Sequence, residues 1–411
     1  MLSEQAVPVV RATLPAVGGA LDRITERFYG RLFDAHPELL RDLFNRGNQA
    51  NGDQRRALAG SIAAFAVALL EHPDTRPDAL LSRIAHKHAS LGVTADQYKI
   101  VHEHLFAAIV EVLGGAVTPE VARAWDEVYW LMANALIALE SRLYQEAGVD
   151  DGQVWRPVRI SERREETADT VSLTLTDPDG EPLPPFRPGQ YMSVRVALPD
   201  GAHQIRQYSL SSAPGRPAWR ITVKRVDGDP AGEVSNRLHA HAAAGDVLEV
   251  SAPFGDLVLP EGDGPLLLAS AGIGSTPMLA MLDHLAATGA ERRVVVVHAD
   301  RSPGAHAHAE ELRELVGRLP QGSLHLWYEA PGASGAREGR ADVTALELPA
   351  GTHAYLCGPL PFLRAVRGDL LASGVAAADV HYEVFGPDLW LGTAARPSIP
   401  KRRSVPAADP A

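Results

Sequence analysis

The chain has 411 residues, 45% of them hydrophobic, enough apolar surface for two or three separate cores. A formal charge of −12 at neutral pH argues against nucleic-acid or anionic-membrane partners, both of which require a basic face. The single cysteine, Cys357, excludes intrachain disulfides and Cys-rich zinc or iron–sulfur sites, and it lies outside any Cys-x-x-Cys-His pattern, so a haem here would be held without thioether bonds.

From Met1 to about Tyr144 the chain is rich in Ala, Leu, Arg and Glu with apolar residues at helical spacing, which predicts an all-α domain over 1–145. Its longest apolar run, Ile62 to Leu70, is too short to cross a bilayer, and no basic-then-apolar leader opens the chain. The expectation is a soluble, cytoplasmic protein without integral membrane association, and a monomer. Pro37 suits the first turn of a helix, and Asp53 is expected to cap a helix in which Gln54, Leu58, Ser61 and Phe65 share a face. In the next helix Leu81, Ile84 and His88 fall on one face, whereas His86 lies about 200° from His88. Only His88 is expected to face inward, either as a core histidine or as a ligand. Tyr98 then joins Val101, Leu105 and Ile109 on an inward stripe, and Glu140 follows Leu136 and Ile137 in the last long helix.

This first third resembles the globin domain of the flavohaemoglobin family. Phe28-Tyr29, Phe44-Asn45, Asn51-Gly52-Asp53-Gln54 and Lys87-His88 carry the resemblance. It implies that His88 is the proximal ligand of a haem b iron, that Tyr29, Gln54 and Leu58 line the distal side, and that Phe44 and Lys87 belong to the haem pocket. It also makes Tyr98 and Glu140 the partners of the proximal imidazole. Such partners orient a ligating imidazole and make it a stronger electron donor. A hydrogen bond from Tyr29 to a charged ligand oxygen would be worth about 1.5–3 kcal/mol.

Residues 146–153 are acidic and glycine-containing without periodicity, as expected of a linker. Over 154–260, strands are predicted at 156–161, 171–176, 191–196, 206–210, 219–226 and 247–251, between Pro/Gly turns, which suggests an antiparallel β-barrel. In the strand Arg206-Gln207-Tyr208-Ser209, alternation sends Arg206 and Tyr208 to one side and Gln207 and Ser209 to the other. A guanidinium suits a diphosphate, and a phenol lies well against an isoalloxazine. Gly232-Glu233-Val234-Ser235 leads into an expected helix at 237–244, where free N–H groups would bind pyrophosphate, although Ser235 in isolation reads more readily as an ordinary helix cap. Together these motifs resemble the flavin domain of the ferredoxin-NADP reductase superfamily. The resemblance assigns Tyr191, Arg206, Gln207, Tyr208, Ser209 and the 232–235 turn to FAD.

Over 261–388 an α/β nucleotide-binding domain is expected. The apolar run 266–270 feeds Gly272-Ile273-Gly274-Ser275-Thr276-Pro277 and a helix, and Cys357-Gly358-Pro359 joins a second apolar run to a second helix. Both turns resemble the superfamily's NAD(P)H motifs, and in the expected final strand, 381–387, Glu383 and Phe385 match a family segment, which implies that Phe385 covers the flavin and that Glu383 lies towards the haem edge near Lys87. Where the family usually has cysteine, this chain has Val384. Asp300 beside Arg301 gives opposing hints on NADH against NADPH. The Pro/Ala-rich tail, 389–411 with Trp390, departs from the family and reads as disordered by composition.

The resemblance implies a nitric oxide dioxygenase in which NAD(P)H reduces FAD, FAD reduces haem, and NO and O2 combine to nitrate. Rival readings are a haem-assisted reductase of hydroperoxides or quinones, and a globin oxygen/NO sensor kept ferrous by its reductase half.

Overall fold

The computed structural model describes residues 1–75 and 77–386, so the expectations for the tail, Trp390 among them, lie outside the described residues. The helical part comprises α1 (Ala6–Ala35), α2 (Pro37–Asp42), α3 (Arg46–Ala50), α4 (Asp53–Glu71), α5 (Asp78–Leu91), α6 (Ala95–Leu113) and α7 (Pro119–Glu146). In α1, Val10, Val17, Leu21, Ile24, Phe28 and Leu32 recur at spacings of three, four or seven and are all buried, forming the stripe on which α4, α6 and α7 pack. Pro37 occupies the first turn of α2, as its missing N–H predicts. Asp53 does not cap α4. It is the first helical residue, Gly52 holds the cap position at φ 76°, and the Asp53 carboxylate accepts from Arg56 instead.

The second part is an antiparallel sheet of β1 (Trp155–Thr167), β2 (Thr170–Thr176), β3 (Tyr191–Ala197), β4 (His203–Ser209), β5 (Trp219–Lys224) and β6 (Val247–Ser251), with α8 (Glu233–His241) between the last two strands. Its order is β4-β3-β6-β1-β2-β5, and the Leu210–Ile221 bridge brings the two ends together as a barrel. Val158, Ile160, Val171, Leu173, Leu175, Val194, Ile221 and Val223 fill its core. α8 begins at Glu233, four residues earlier than expected, so Ser235 is its third residue and Gly232 its cap.

The third part is a parallel sheet ordered β10-β9-β8-β7-β11-β12. Its elements are β7 (Leu266–Ala271), α9 (Ser275–Ala287), β8 (Val294–Asp300), α10 (Ala309–Gly317), β9 (Gly322–Tyr328), β10 (Arg337–Glu338), β11 (His353–Cys357), α11 (Leu360–Ala372) and β12 (Val380–Glu383). The last strand is shorter than expected, so Phe385 lies beyond it. Leu267, Ala269, Val295 and Val297 are buried on one face of the central strands and Leu266, Leu268, Val294 and Val296 on the other, as helices on both faces require. Among the described residues no helix is long and apolar enough to cross a membrane.

His306, 4% exposed, stacks on His298 with ring centroids 3.8 Å apart and shares a hydrogen bond through Nδ1 with the Tyr328 hydroxyl (2.8 Å). Burial, reinforced by His298, lowers its pKa from 6.5 to about 2. The unfolded chain therefore takes up a proton that the folded chain refuses, and stability falls as pH drops below 6.5, a loss that levels off only near 2. Each pH unit in this window costs at most about 1.4 kcal/mol. His306→Phe should flatten this limb, so urea midpoints at pH 7 and pH 5 should differ less in the variant than in the parent. Equal differences would refute the assignment.

Candidate functional site

The helical face predicted for His88 delivers it to a buried polar group. Its Nδ1 lies 2.9 Å from both the Tyr98 hydroxyl and Glu140 Oε1, and the Tyr98 hydroxyl donates to the same Glu140 oxygen at 2.5 Å. Glu140 is only 2% exposed. Burial, and then the Glu140 charge, push the Tyr98 pKa well up, so the phenol stays protonated. With Nδ1 engaged, Nε2 has no protein partner among the described residues and is the nitrogen left for a metal. Tyr29 is buried against Phe28, Phe33 and Phe44, and its hydroxyl is within reach of the Gln54 and Gln49 side chains. Leu58 packs on the same core. Gln49 was not singled out from sequence because it lies in a short helix without periodicity.

The outward face of α5 is covered by the second domain. The Gly255 backbone N–H donates to His86 Nδ1 (3.0 Å), so His86 is a docking residue and not a solvent-facing one. Ser193 on β3 donates to the Ser90 hydroxyl (2.9 Å), and Gln207 donates to Ser193 (3.0 Å). Arg83 donates to the Tyr382 carbonyl (2.6 Å), with its guanidinium 4.2 Å over the Tyr382 ring. Of the flavin candidates, Tyr191, Tyr208 and Ser209 share the paired β3–β4 edge, in which Tyr191 faces Ser209 and Met192 faces Tyr208. Burial raises the pKa of both phenols. Arg206 donates to the Ile205 carbonyl (2.8 Å) and Gln204 Oε1 (3.2 Å), and lies 3.9 Å from Glu233. Val234 is buried in the barrel core, so only its backbone is free to meet a ligand.

Gln204, Ser90, Ser193 and Arg46 were missed because each acts across domains. Gln204 is wholly buried; its amide donates to the carbonyls of Leu40 (3.3 Å), Arg41 (3.0 Å) and Phe44 (3.2 Å), and its oxygen accepts from the Arg46 N–H (3.2 Å). One side chain thus joins the flavin-signature strand to the corner that holds Phe44.

In the third domain, Ser270, Cys357 and Glu383 stand side by side at the C-terminal ends of β7, β11 and β12, the edge where open α/β sheets bind ligands. The Gly272–Pro277 and Cys357–Pro359 turns touch. A Cβ on Gly274 would sit 2.3 Å from the Cys357 carbonyl oxygen. Cys357 is fully buried and its thiol pKa is pushed up by that burial. Thr276 donates to the Ile273 carbonyl (3.0 Å) and is spent on the turn, whereas the buried Ser275 hydroxyl has no protein partner. Glu383 is 7% exposed, and burial raises its carboxyl pKa to about 7 against the opposing pull of Arg83. Lys87, on α5, has its pKa lowered by burial and held up in part by Glu383. Phe385 is 48% exposed at the chain's last described turn. Arg301 donates to Asp169 of the barrel (3.1 Å) while Asp300 turns inward.

The residues present suit three groups. His88 leaves one imidazole nitrogen unengaged, and among the described residues no cluster of three or more His, Cys, Asp or Glu is placed to hold a bare metal ion. The Gly232 turn leaves the N–H groups of α8's first turn free, and a Cβ there would strike Ser235 Oγ at 2.4 Å. Buried Ser275 Oγ, Glu233 Oε2 and Glu383 Oε2 lack hydrogen-bond partners in the protein, as expected of groups facing a ligand.

The fold and these three sites define an oxidoreductase built by joining a globin to a flavin- and nicotinamide-binding reductase. Family models match in that order: globin over residues 26–136, oxidoreductase FAD-binding domain over 157–258 and oxidoreductase NAD-binding domain over 268–368. A flavohemoprotein from Chromobacterium violaceum is 45% identical over 402 residues, 94% of this chain and 98% of that protein. One from Rhizobium meliloti is 40% identical over 405 residues, 95% of this chain and 100% of that protein. The crystal structure of a flavohemoglobin from Malassezia yamatoensis, with bound FAD and heme, superposes with a TM-score of 0.87 at 38% identity, covering 94% of this chain and 100% of that one. The chain belongs to the flavohemoprotein family. Its cofactors are haem, FAD and a nicotinamide dinucleotide.

Gly274→Ala should separate the two nucleotide turns, because the atoms its Cβ meets are backbone. The expected outcome is loss of NADH-driven flavin reduction with the haem absorbance intact. Unchanged reduction kinetics would show that the turns do not form one site.

Proposed function

We propose that this flavohemoprotein is a nitric oxide dioxygenase, converting NO and O2 to nitrate at the expense of NAD(P)H. The observation that supports it best is the buried Glu140–Tyr98–His88 group, since a carboxylate bonded to a ligating imidazole suits oxygen activation better than oxygen storage. A solved FAD/NAD-binding domain described as that of nitric oxide dioxygenase from Vibrio cholerae, 37% identical with a TM-score of 0.54 and spanning 57% of this chain and all of that one, agrees with this reading.

When bound, a nicotinamide dinucleotide, FAD and haem would supply the redox chemistry, a two-electron donor being joined to a one-electron acceptor through a group capable of both, so that one hydride would serve two turnovers. The residues do the rest. Glu140 and Tyr98 hold His88 Nδ1, fixing the imidazole plane and directing Nε2 to the metal. Tyr29, kept protonated by burial, offers its O–H to the distal side, with Gln54 beside it and Leu58 and Phe44 excluding water. Tyr208 and Ser209 would hold the isoalloxazine, Arg206 and the 232–235 turn would hold the diphosphate, and Tyr191, Gln207, Glu383 and Phe385 would add further contacts to the flavin. Gly272–Pro277 and Cys357–Pro359 would hold the nicotinamide dinucleotide. The proposed domains are 1–145, 154–260 and 261–388, with 387 and 388 outside the described residues, about a linker at 146–153 whose first residue, Glu146, still ends α7.

NADH-dependent NO loss, with one nitrate formed per NO and a strict O2 requirement, is the expected activity. Tyr29→Phe should lower it about ten- to a hundredfold at limiting O2, the worth of one charge-assisted hydrogen bond. Slow NO loss that Tyr29→Phe leaves unchanged would overturn the proposal. Glu140→Gln should weaken proximal donation and raise the haem midpoint potential, measured by spectroelectrochemistry, and an unchanged potential would remove the case for oxygen activation. Tyr208→Ala should abolish NADH-driven turnover while chemically reduced haem still binds O2.

A further inference from the structure

A globin-domain arginine stands at the mouth of the diphosphate turn. Arg46, the first residue of α3, reaches across the domain boundary, with Nη2 2.8 Å from Glu233 Oε1 and Nη1 2.6 Å from Asp200 Oδ2. Glu233 opens α8, in the turn whose free N–H groups suit an anion. A carboxylate in that turn repels a diphosphate unless a cation neutralises it. Arg206 is only loosely placed for this, at 3.9 Å from Glu233 Oε2. Arg46 is the closer counter-ion. Its Nε is buried without a hydrogen-bond partner in the protein, and so is Glu233 Oε2, whose only neighbour of opposite charge at that oxygen, among the described residues, is the distant Arg206. A donor and an acceptor left unsatisfied on the same pair indicate a polar group between them that the protein does not supply.

We propose that Arg46 is an FAD-binding residue contributed by the globin domain, which neutralises Glu233 and offers its Nε–H to the FAD diphosphate. Flavin retention then depends on the globin being docked, and docking on the flavin being present. This rests on the reading that Arg206 and the Gly232–Ser235 turn hold the diphosphate.

The test uses full-length protein stripped of flavin, with dissociation constants for FAD and for riboflavin, which lacks the diphosphate, read from flavin fluorescence. Arg46→Met should weaken FAD about ten- to a hundredfold and leave riboflavin unchanged, with Soret and far-UV signals preserved. Arg46→Lys, which keeps the charge, should fall between the two and covers the case in which Arg46→Met folds poorly. Adding Glu233→Gln to Arg46→Met should restore part of the affinity, because the uncompensated carboxylate is gone. Asp200→Asn, which removes Arg46's other ion pair, should hold FAD within about twofold of the parent. The proposal is overturned if Arg46→Met leaves FAD affinity unchanged, if FAD and riboflavin weaken together, or if Asp200→Asn reproduces the loss. Arg206→Met separates the levels. If it fails to weaken FAD, the placement of the diphosphate is wrong, and if it weakens FAD while Arg46→Met does not, only the role of Arg46 is.

Discussion

The hydrogen bond from Ser193 to Ser90, 2.9 Å long and sealed from solvent, ties the helix that carries His88 to the sheet edge that carries the flavin signature. Ser90 also donates to the Lys87 carbonyl (2.8 Å), and Gln207 donates to Ser193, so α5, β3 and β4 are fixed relative to one another by small side chains that have little room to move. The same helix sends His86 to the Gly255 loop and Arg83 to Tyr382 on β12. One fourteen-residue helix therefore touches all three domains. For a proposed electron path from nucleotide to flavin to haem, this matters more than any single ligand, because it sets both separations at once.

This junction is expensive in charge. Glu383 and Lys87 are drawn out of water close enough for each to influence the other's pKa, and burial moves each towards its neutral form. An ordinary core would replace them with apolar residues at little cost or some gain. Their retention fits a site that must accept a polar cofactor, since groups unsatisfied within the protein regain partners from the ligand. Ser275, Glu233 and Glu383 show the same pattern in three separate places.

The sequence was legible where period and motif agree. His88, Tyr98 and Glu140 lie on three helices; helical spacing turned His88 and Tyr98 inward, whereas Glu140 reads from spacing as a solvated carboxylate and only the family resemblance joined it to them, and the structure brings all three within 3 Å of one another. The six barrel strands were visible for the same reason, from turn residues and period-two alternation. What failed was local: Gly52, not Asp53, took the cap of α4, and α8 began at Glu233 because a polar first turn carries no apolar period to announce it. Interdomain residues were invisible for a different reason. Gln204 and Arg46 act on partners some 160 residues distant, and nothing in a strand or a short polar helix marks which face another domain will cover. His86 shows the hazard: its face was correct, but that face is not solvent.

The contact between globin and barrel is polar, and this bears on how the domains cooperate. Each bond that Gln204 makes contributes about 0.5–1.5 kcal/mol net, so the interface is specific in geometry more than it is strong. An amide with both donors and both acceptor directions used cannot shift by an ångström without losing several bonds together. β4 is joined to β5 only through the Leu210–Ile221 bridge, so most of its outer edge is left unpaired within the barrel, and such edges ordinarily invite pairing with other chains. Here the globin corner covers it through Arg41 to the Gly201 carbonyl (2.9 Å) and the His203 N–H to Asp42 (2.9 Å). Docking thus protects the strand and places Phe44, on the proposed distal side, one bond from Gln204 and two from Arg206. Arg206, proposed for the diphosphate, and the corner proposed for the haem pocket are thus joined by a short, fully bonded route through Gln204.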